Sequence, residues 1–211
     1  MKRGKFITIE GQDGAGKSTN IASVLSCLET AAIETVVTRE PGGTPLGETL
    51  RDVVLGSQDA DFGDMAELLL IFAARAQHIA EVIEPALAKG HWVLCDRFTD
   101  ATFAYQGGGR GIKLDKISAL ERLVQGDLQP DLTLLLDVPV DVGVARAGQR
   151  SEPDRFERQQ DEFKSRVRSV YLKRAESYSE RFKLIDASQS IQEVQTQVVQ
   201  VMTEFIMSNG K

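Results

Sequence analysis

Between a short apolar run and a helical stretch lies Gly11-Gln12-Asp13-Gly14-Ala15-Gly16-Lys17-Ser18, which fits G-x-x-x-x-G-K-[ST]. No other feature of the chain restricts its fold as strongly. The pattern works only where a strand delivers a tight glycine turn to a helix N-terminus, so that successive backbone N–H groups converge on phosphate oxygens. Gly11 through Ser18, with Thr19 next in the chain, are therefore the expected ATP-binding residues. Lys17 is expected to reach the β- and γ-phosphates, and the Ser18 hydroxyl to ligate Mg²⁺.

The remaining pattern agrees with that demand. Lys5–Glu10, Ile33–Thr38, Trp92–Asp96, Asp131–Asp137 and Arg181–Asp186 read as strands. Between them, Gly16–Leu28, Pro45–Leu55, Asp64–Ala88, Leu114–Val124, Pro139–Ala147, Glu157–Tyr178 and Ser190–Met207 carry helical periodicity. Pro85 is expected to kink or shorten the long third helix, and Gly107-Gly108-Gly109 reads as a loop. Strands alternating with helices require parallel pairing through crossovers. The expectation is a three-layer α/β fold with a five-stranded parallel sheet, as one domain over residues 1–211.

Asp96 at the carboxyl end of the third strand is the expected second metal-holding residue, with Asp137 a weaker competitor. Phosphate loops also serve switches and motors. A guanine-reading switch carries Asn-Lys-x-Asp, and neither Asn20 nor Asn209 begins one. A net charge of −6 disfavours nucleic-acid binding, and no apolar run approaches the ~20 residues that span a bilayer. Cys27 and Cys95 lack metal or redox spacing, which with the charged N-terminus reads as a cytoplasmic protein with free thiols. His78 and His91 read as core or surface residues rather than metal ligands.

Arginines supply the second anion site. Arg39, Arg51, Arg75 and Arg97 fall beside strand ends on the phosphate-loop side, where forked cationic contacts suit an acceptor phosphate. Arg146, Arg150, Arg155 and Arg158 flank the polar segment Gly148–Arg155. That segment reads either as a plain solvated connection or as a mobile lid, about 146–158, that brings an arginine to the transferring phosphoryl group.

With these motifs, Arg39-Glu40-Pro41-Gly42-Gly43-Thr44, Asp96-Arg97-Phe98, Tyr105-Gln106-Gly107-Gly108-Gly109-Arg110-Gly111 and Asp154-Arg155-Phe156-Glu157, the chain resembles the bacterial thymidylate kinase family over nearly its full length. The resemblance implies phosphorylation of dTMP by ATP with Mg²⁺, and a homodimer formed through helices; the all-round apolar stretch Met65–Ala74 reads either as part of that interface or as a central core helix. It implies that Asp13 binds the acceptor sugar and that Arg39, Arg51 and Arg97 hold its phosphate. Arg75, Thr102 and Gln106 would surround the base, with Tyr105 against the sugar's 2′ side. Catalytic roles fall to Lys17, Arg97, Asp13 and the lid residue Arg150, with Arg146 behind it on ATP.

Three departures from the family matter. Gly14 stands where one branch carries an arginine, and Gly148 where close relatives have another. Ile71 occupies the position of a base-stacking phenylalanine, so either Phe72 takes that role or Ile71 packs on the ring.

Overall fold

The computed structural model describes residues 2–56, 63–148 and 155–209. Five strands form one parallel sheet in the order β2-β3-β1-β4-β5: β1 Phe6–Glu10, β2 Thr35–Arg39, β3 Trp92–Asp96, β4 Leu132–Asp137 and β5 Phe182–Asp186. The central strand is FITIE, buried at every residue, as expected of a strand covered on both faces. Its one interior hydroxyl, Thr8, meets Thr133 of β4 at 2.9 Å, so neither is left unpaired. The outer strands β2 and β5 are only partly buried.

Helices α1 Lys17–Thr30 and α9 Ile191–Asn209 pack on one face, with Val24, Leu28, Val194, Val198 and Met202 against Ile7, Ile9, Leu94 and Leu134. The other face carries α3 Asp64–His78, α4 Glu84–Ala88, α5 Thr99–Thr102, α6 Leu114–Gln125 and α8 Asp161–Ser177. Helices α2 Pro45–Arg51 and α7 Val140–Ala147 lie at the carboxyl edge of the sheet. Thr44 starts α2 by accepting from the Gly47 N–H at 3.0 Å, with Pro45 pre-set in the first turn.

The expected long helix is one path with a π-helical turn at Ile79–Ile83, just before Pro85. Proline has no N–H for the ladder and its ring crowds the preceding turn, so the backbone widens there instead of breaking. The expected glycine loop is corrected: Phe103–Gly109 is a π-helical turn continuing α5. Its glycines serve close packing against α8. A Cβ on Gly109 would lie 2.4 Å from the Phe163 ring and one on Gly108 2.7 Å from Val170, while Arg166 donates to both glycine carbonyls. Helix α8 begins at Asp161 rather than Glu157 because Arg155–Arg158 form turns.

Candidate active site

The carboxyl ends of β1, β2 and β3 meet at one cleft of about 950 Å³, its open mouth included. The phosphate loop enters it from β1. Gly14 has φ +79°, and a Cβ there would stand 2.0 Å from the Gly143 carbonyl of α7. An arginine inside the loop at this position is excluded by that contact as well as by the backbone. Lys17 curls back and donates to the carbonyls of Gly11 and Gln12 at 3.1 Å each, 3.8 Å from Asp13. Burial and repulsion from Arg97 push its ammonium pKa down, while Asp13, Asp96 and Glu10 oppose that shift.

Ser18 and Asp96 both line the cleft, and Asp96 Oδ1 is buried without a hydrogen-bond partner. An unpaired buried carboxylate oxygen beside the helix N-terminus fits a hydrated Mg²⁺, which keeps water and phosphate oxygens as its other ligands. Among the described residues no cluster of three His, Cys, Asp or Glu could cage an ion by itself.

Arg97 is the centre of the constellation. Its backbone sits at φ 67°, a conformation that costs a non-glycine residue of order 1–3 kcal/mol and persists only where the surroundings enforce it. The guanidinium donates to Asp13 Oδ1 at 2.6 Å and to the Tyr171 hydroxyl at 3.4 Å, and lies 4.8 Å over the Tyr105 ring. Tyr105 donates to Asp13 Oδ2 at 3.2 Å, and burial keeps that phenol protonated far above its ordinary range. Burial would raise the Asp13 carboxyl, but Arg97, Lys17 and the two hydrogen bonds hold it below its usual value.

Under this layer lies Glu10, fully buried, accepting from the Phe98 N–H at 2.7 Å and the Tyr171 hydroxyl at 2.7 Å. Burial, then repulsion from Asp100, raises its pKa from 4.5 to about 7. A raised carboxyl favours the fold while protonated, so its contribution is full below about pH 4.5 and lost as pH climbs through 7. The loss is about 3 kcal/mol, since each pH unit of displacement is worth about 1.4 kcal/mol. Glu10→Gln should therefore gain thermal stability over wild type as pH rises from 5 to 8. A melting-temperature difference that is flat across that range would show that Glu10 carries no such penalty.

The far wall reads the second ligand. Arg75, 1% exposed, donates through Nε to Glu40 at 2.7 Å and through Nη2 to Thr102 at 2.9 Å, and its Nη1 is buried without a partner. Glu40 also pairs with His78 Nδ1 at 2.9 Å, which makes His78 a buried positioning group. Phe72 is corrected: it does not line the cleft but packs with Leu68, Phe103 and Ile117, 4.8 Å from the Arg75 guanidinium. Ile71 faces the cleft instead, because α3 is apolar nearly all round and its helical phase turns the phenylalanine into the core.

Arg51 lines the cleft, held by the Pro41 carbonyl at 2.8 Å. Burial and then repulsion from Arg39 and Arg97 lower its pKa, against the opposing pull of Glu48 and Asp96. Arg39 itself stands outside the lining, 54% exposed and ion-paired with Glu48 at 2.8 Å, so its expected place on the acceptor phosphate is not occupied here. Thr102, Tyr105 and Gln106 all line the cleft.

Arg146 lies on the opposite side of the phosphate loop, donating to the carbonyls of Ala187, Ser188 and Gln189. It forms a groove with Gly14, Gly16, Thr19 and the segment between β5 and α9, a segment the motifs gave no reason to single out. Arg150 lies outside the described residues. Asp137 is structural, gripped by both arms of Arg168 at 2.7 and 2.8 Å.

Known proteins match this arrangement over nearly the whole chain. The family model described as thymidylate kinase matches residues 9–198. A thymidylate kinase of Methylobacillus flagellatus is 56% identical over 203 residues, covering 96% of this chain and 98% of that protein. One of Pseudomonas syringae pv. tomato is 53% identical over 203 residues, covering 96% and 97%. The crystal structure of thymidylate kinase from Ehrlichia chaffeensis superposes with a TM-score of 0.75 at 34% identity, covering 95% of this chain and 99% of that one.

Proposed function

The chain belongs to the thymidylate kinase family and converts dTMP to dTDP at the expense of ATP, and from that premise we propose how its own residues perform the transfer. ATP lies with its phosphates in the loop Gly11–Ser18 and its base in the groove beside Arg146. Ser18, with Asp96 through water, would hold Mg²⁺, which when bound would supply positive charge to the phosphates. Lys17 exchanges its two loop carbonyls for phosphate oxygens.

The acceptor phosphate sits between Arg51 and Arg97, and the gathering of these cations is the observation that carries the reading. A dianionic phosphate relieves their mutual repulsion, which a neutral nucleoside cannot do. One of its oxygens attacks the γ-phosphorus in line as the bond to the ADP oxygen breaks. The nucleophile is already ionised, so no strong base is needed. Arg97 spans acceptor and transferred group, Asp13 keeps Arg97 oriented while binding the sugar, and Tyr105 covers the 2′ side.

Arg75 offers its unpaired Nη1 to O4 of thymine and repels the amino group of cytosine. Residues 1–211 act as one kinase domain whose segment near 146–158 closes as a lid, with Arg150 joining the transition state. Met65 and Leu69, 40% and 50% exposed on α3, suit a homodimer interface. No helix among the described residues is long and apolar enough to cross a membrane, and we assign the enzyme to the cytoplasm.

ADP release measured separately with dTMP, dUMP, dCMP, AMP and thymidine tests the proposal. Turnover with dTMP should exceed that with dCMP, AMP and thymidine by at least about 10²-fold, as a buried polar group left unpaired by the wrong ligand demands. Thymidine turning over as fast as dTMP would remove the phosphate clamp from the reading.

A further inference from the structure

Glu67 lies in the middle of α3 with a fully buried side chain, and nothing in the transfer chemistry uses it. Four donors saturate it. Oε1 accepts from Gln106 Nε2 at 2.9 Å and Arg110 Nε at 3.3 Å, and Oε2 from Arg110 Nη2 at 3.1 Å and Arg155 Nη1 at 2.8 Å. A carboxylate held between two guanidiniums only accepts hydrogen bonds. Gln106 can therefore present it nothing but the amide nitrogen, which turns the amide oxygen away from Glu67, and Gln106 is among the residues lining the cleft. Gln106 is only 2% exposed, and turning its amide over would set the amide oxygen against the Glu67 carboxylate.

We propose that Glu67 is a positioning residue for base selection: it fixes the polarity of Gln106, so that the acceptor pocket offers an oxygen acceptor beside the Arg75 donor. That pairing matches the N3–H and O4 of thymine. It opposes cytosine, whose N3 is a lone pair and whose exocyclic group is an amine. The inference rests on the thymidylate kinase reading above and adds a residue that never touches the substrate. The same carboxylate draws in Arg155, next to Phe156 and Glu157 on the cleft lining, so wall and roof of the pocket share one anchor.

The test is kcat/KM for dTMP and dCMP in wild type, Glu67→Gln, Gln106→Met and the reversed pair Glu67→Gln/Gln106→Glu. In Glu67→Gln, an amide at position 67 lets Gln106 turn over, and the dTMP:dCMP ratio should fall on the order of tenfold to a hundredfold. Gln106→Met should lose the same preference. In the reversed pair the carboxylate at 106 keeps one oxygen on the amide and presents the other to the cleft, so the ratio should recover toward wild type. A packing role alone would lower both activities together and leave the ratio unchanged in every variant, which overturns the proposal. Where Glu67→Gln does not fold, the reversed pair decides, because it retains a negative charge among the arginines: a ratio still at the Gln106→Met level overturns it. Wild type inert toward dTMP would instead defeat the kinase reading itself.

Discussion

Arg97→Ala should lower kcat by about 10³-fold or more, the range seen where a transition-state arginine is removed from a phosphoryl-transfer site. That corresponds to roughly 4–7 kcal/mol of barrier. The expectation follows from what converges on this one side chain. Asp13, Tyr105 and Tyr171 all contact it, and Glu10 holds Tyr171 from below. Burial alone would weaken its charge, yet Tyr105, Asp13, Tyr171 and Asp96 together hold the guanidinium protonated. Arg97→Lys should recover little, because a compact ammonium cannot contact Asp13 and Tyr171 at once in a fixed plane. Arg97→Gly separates chemistry from strain. At φ 67° it should be more stable than Arg97→Ala by about 1 kcal/mol while remaining as inactive. Steady-state kinetics with thermal melts of the three variants decide this, and an alanine variant within tenfold of wild type would remove Arg97 from the transition state.

The phosphate loop and the five strands were legible because their signals are local. A glycine pattern, an apolar run and a helix start lie within about one helix length of one another, and none needs tertiary contacts to be recognised. The acidic side of the site was not legible in this way. Glu40 meets Arg75 across 35 positions, Glu67 meets Arg155 across 88, and Glu10 meets Tyr171 across 161. A carboxylate in a sequence reads as solvated surface, and only the fold shows that these are buried and matched. Arg39 shows the converse: its place after β2 was visible, but nothing in the motif shows that Glu48 pairs with it. Phe72 failed because Leu68, Leu69, Leu70 and Ile71 surround it with apolar neighbours, so α3 has no polar face to set its phase. The glycine cluster 107–109 looked like a turn because glycine's conformational freedom and its lack of bulk are indistinguishable until α8 is seen against it.

Asp100→Ala should destabilise the fold by about 3–5 kcal/mol, a large share of the roughly 5–15 kcal/mol that holds a domain together. Asp100 is 1% exposed and accepts from Arg174 at 2.5 Å and from Arg181 at 2.8 and 2.9 Å. Removing it leaves two guanidiniums, 11% and 13% exposed, without a counter-charge, and the strength of the effect comes from those orphans rather than from the pair's own net worth. Asp100→Asn keeps the shape and one acceptor but loses the charge, so it should fall between alanine and wild type in urea unfolding. The pH dependence has the opposite sign to that of Glu10. Burial raises Asp100, but Arg174 and Arg181 outweigh it and hold its pKa below 3.8. Its contribution is therefore full at neutral pH and lost only as pH falls through that lowered value. From pH 5 to 8 Asp100 itself does not titrate, so the deficit of Asp100→Asn should change only through Glu10, narrowing as pH rises. The two carboxyls are also linked, since Asp100 is the second cause of the raised Glu10 pKa, after burial. Asp100→Asn should consequently move the Glu10 transition in the stability–pH curve below 7, toward the ordinary carboxyl range. An Asp100→Asn protein as stable as wild type, with that transition unmoved, would mean the triad carries no net charge interaction.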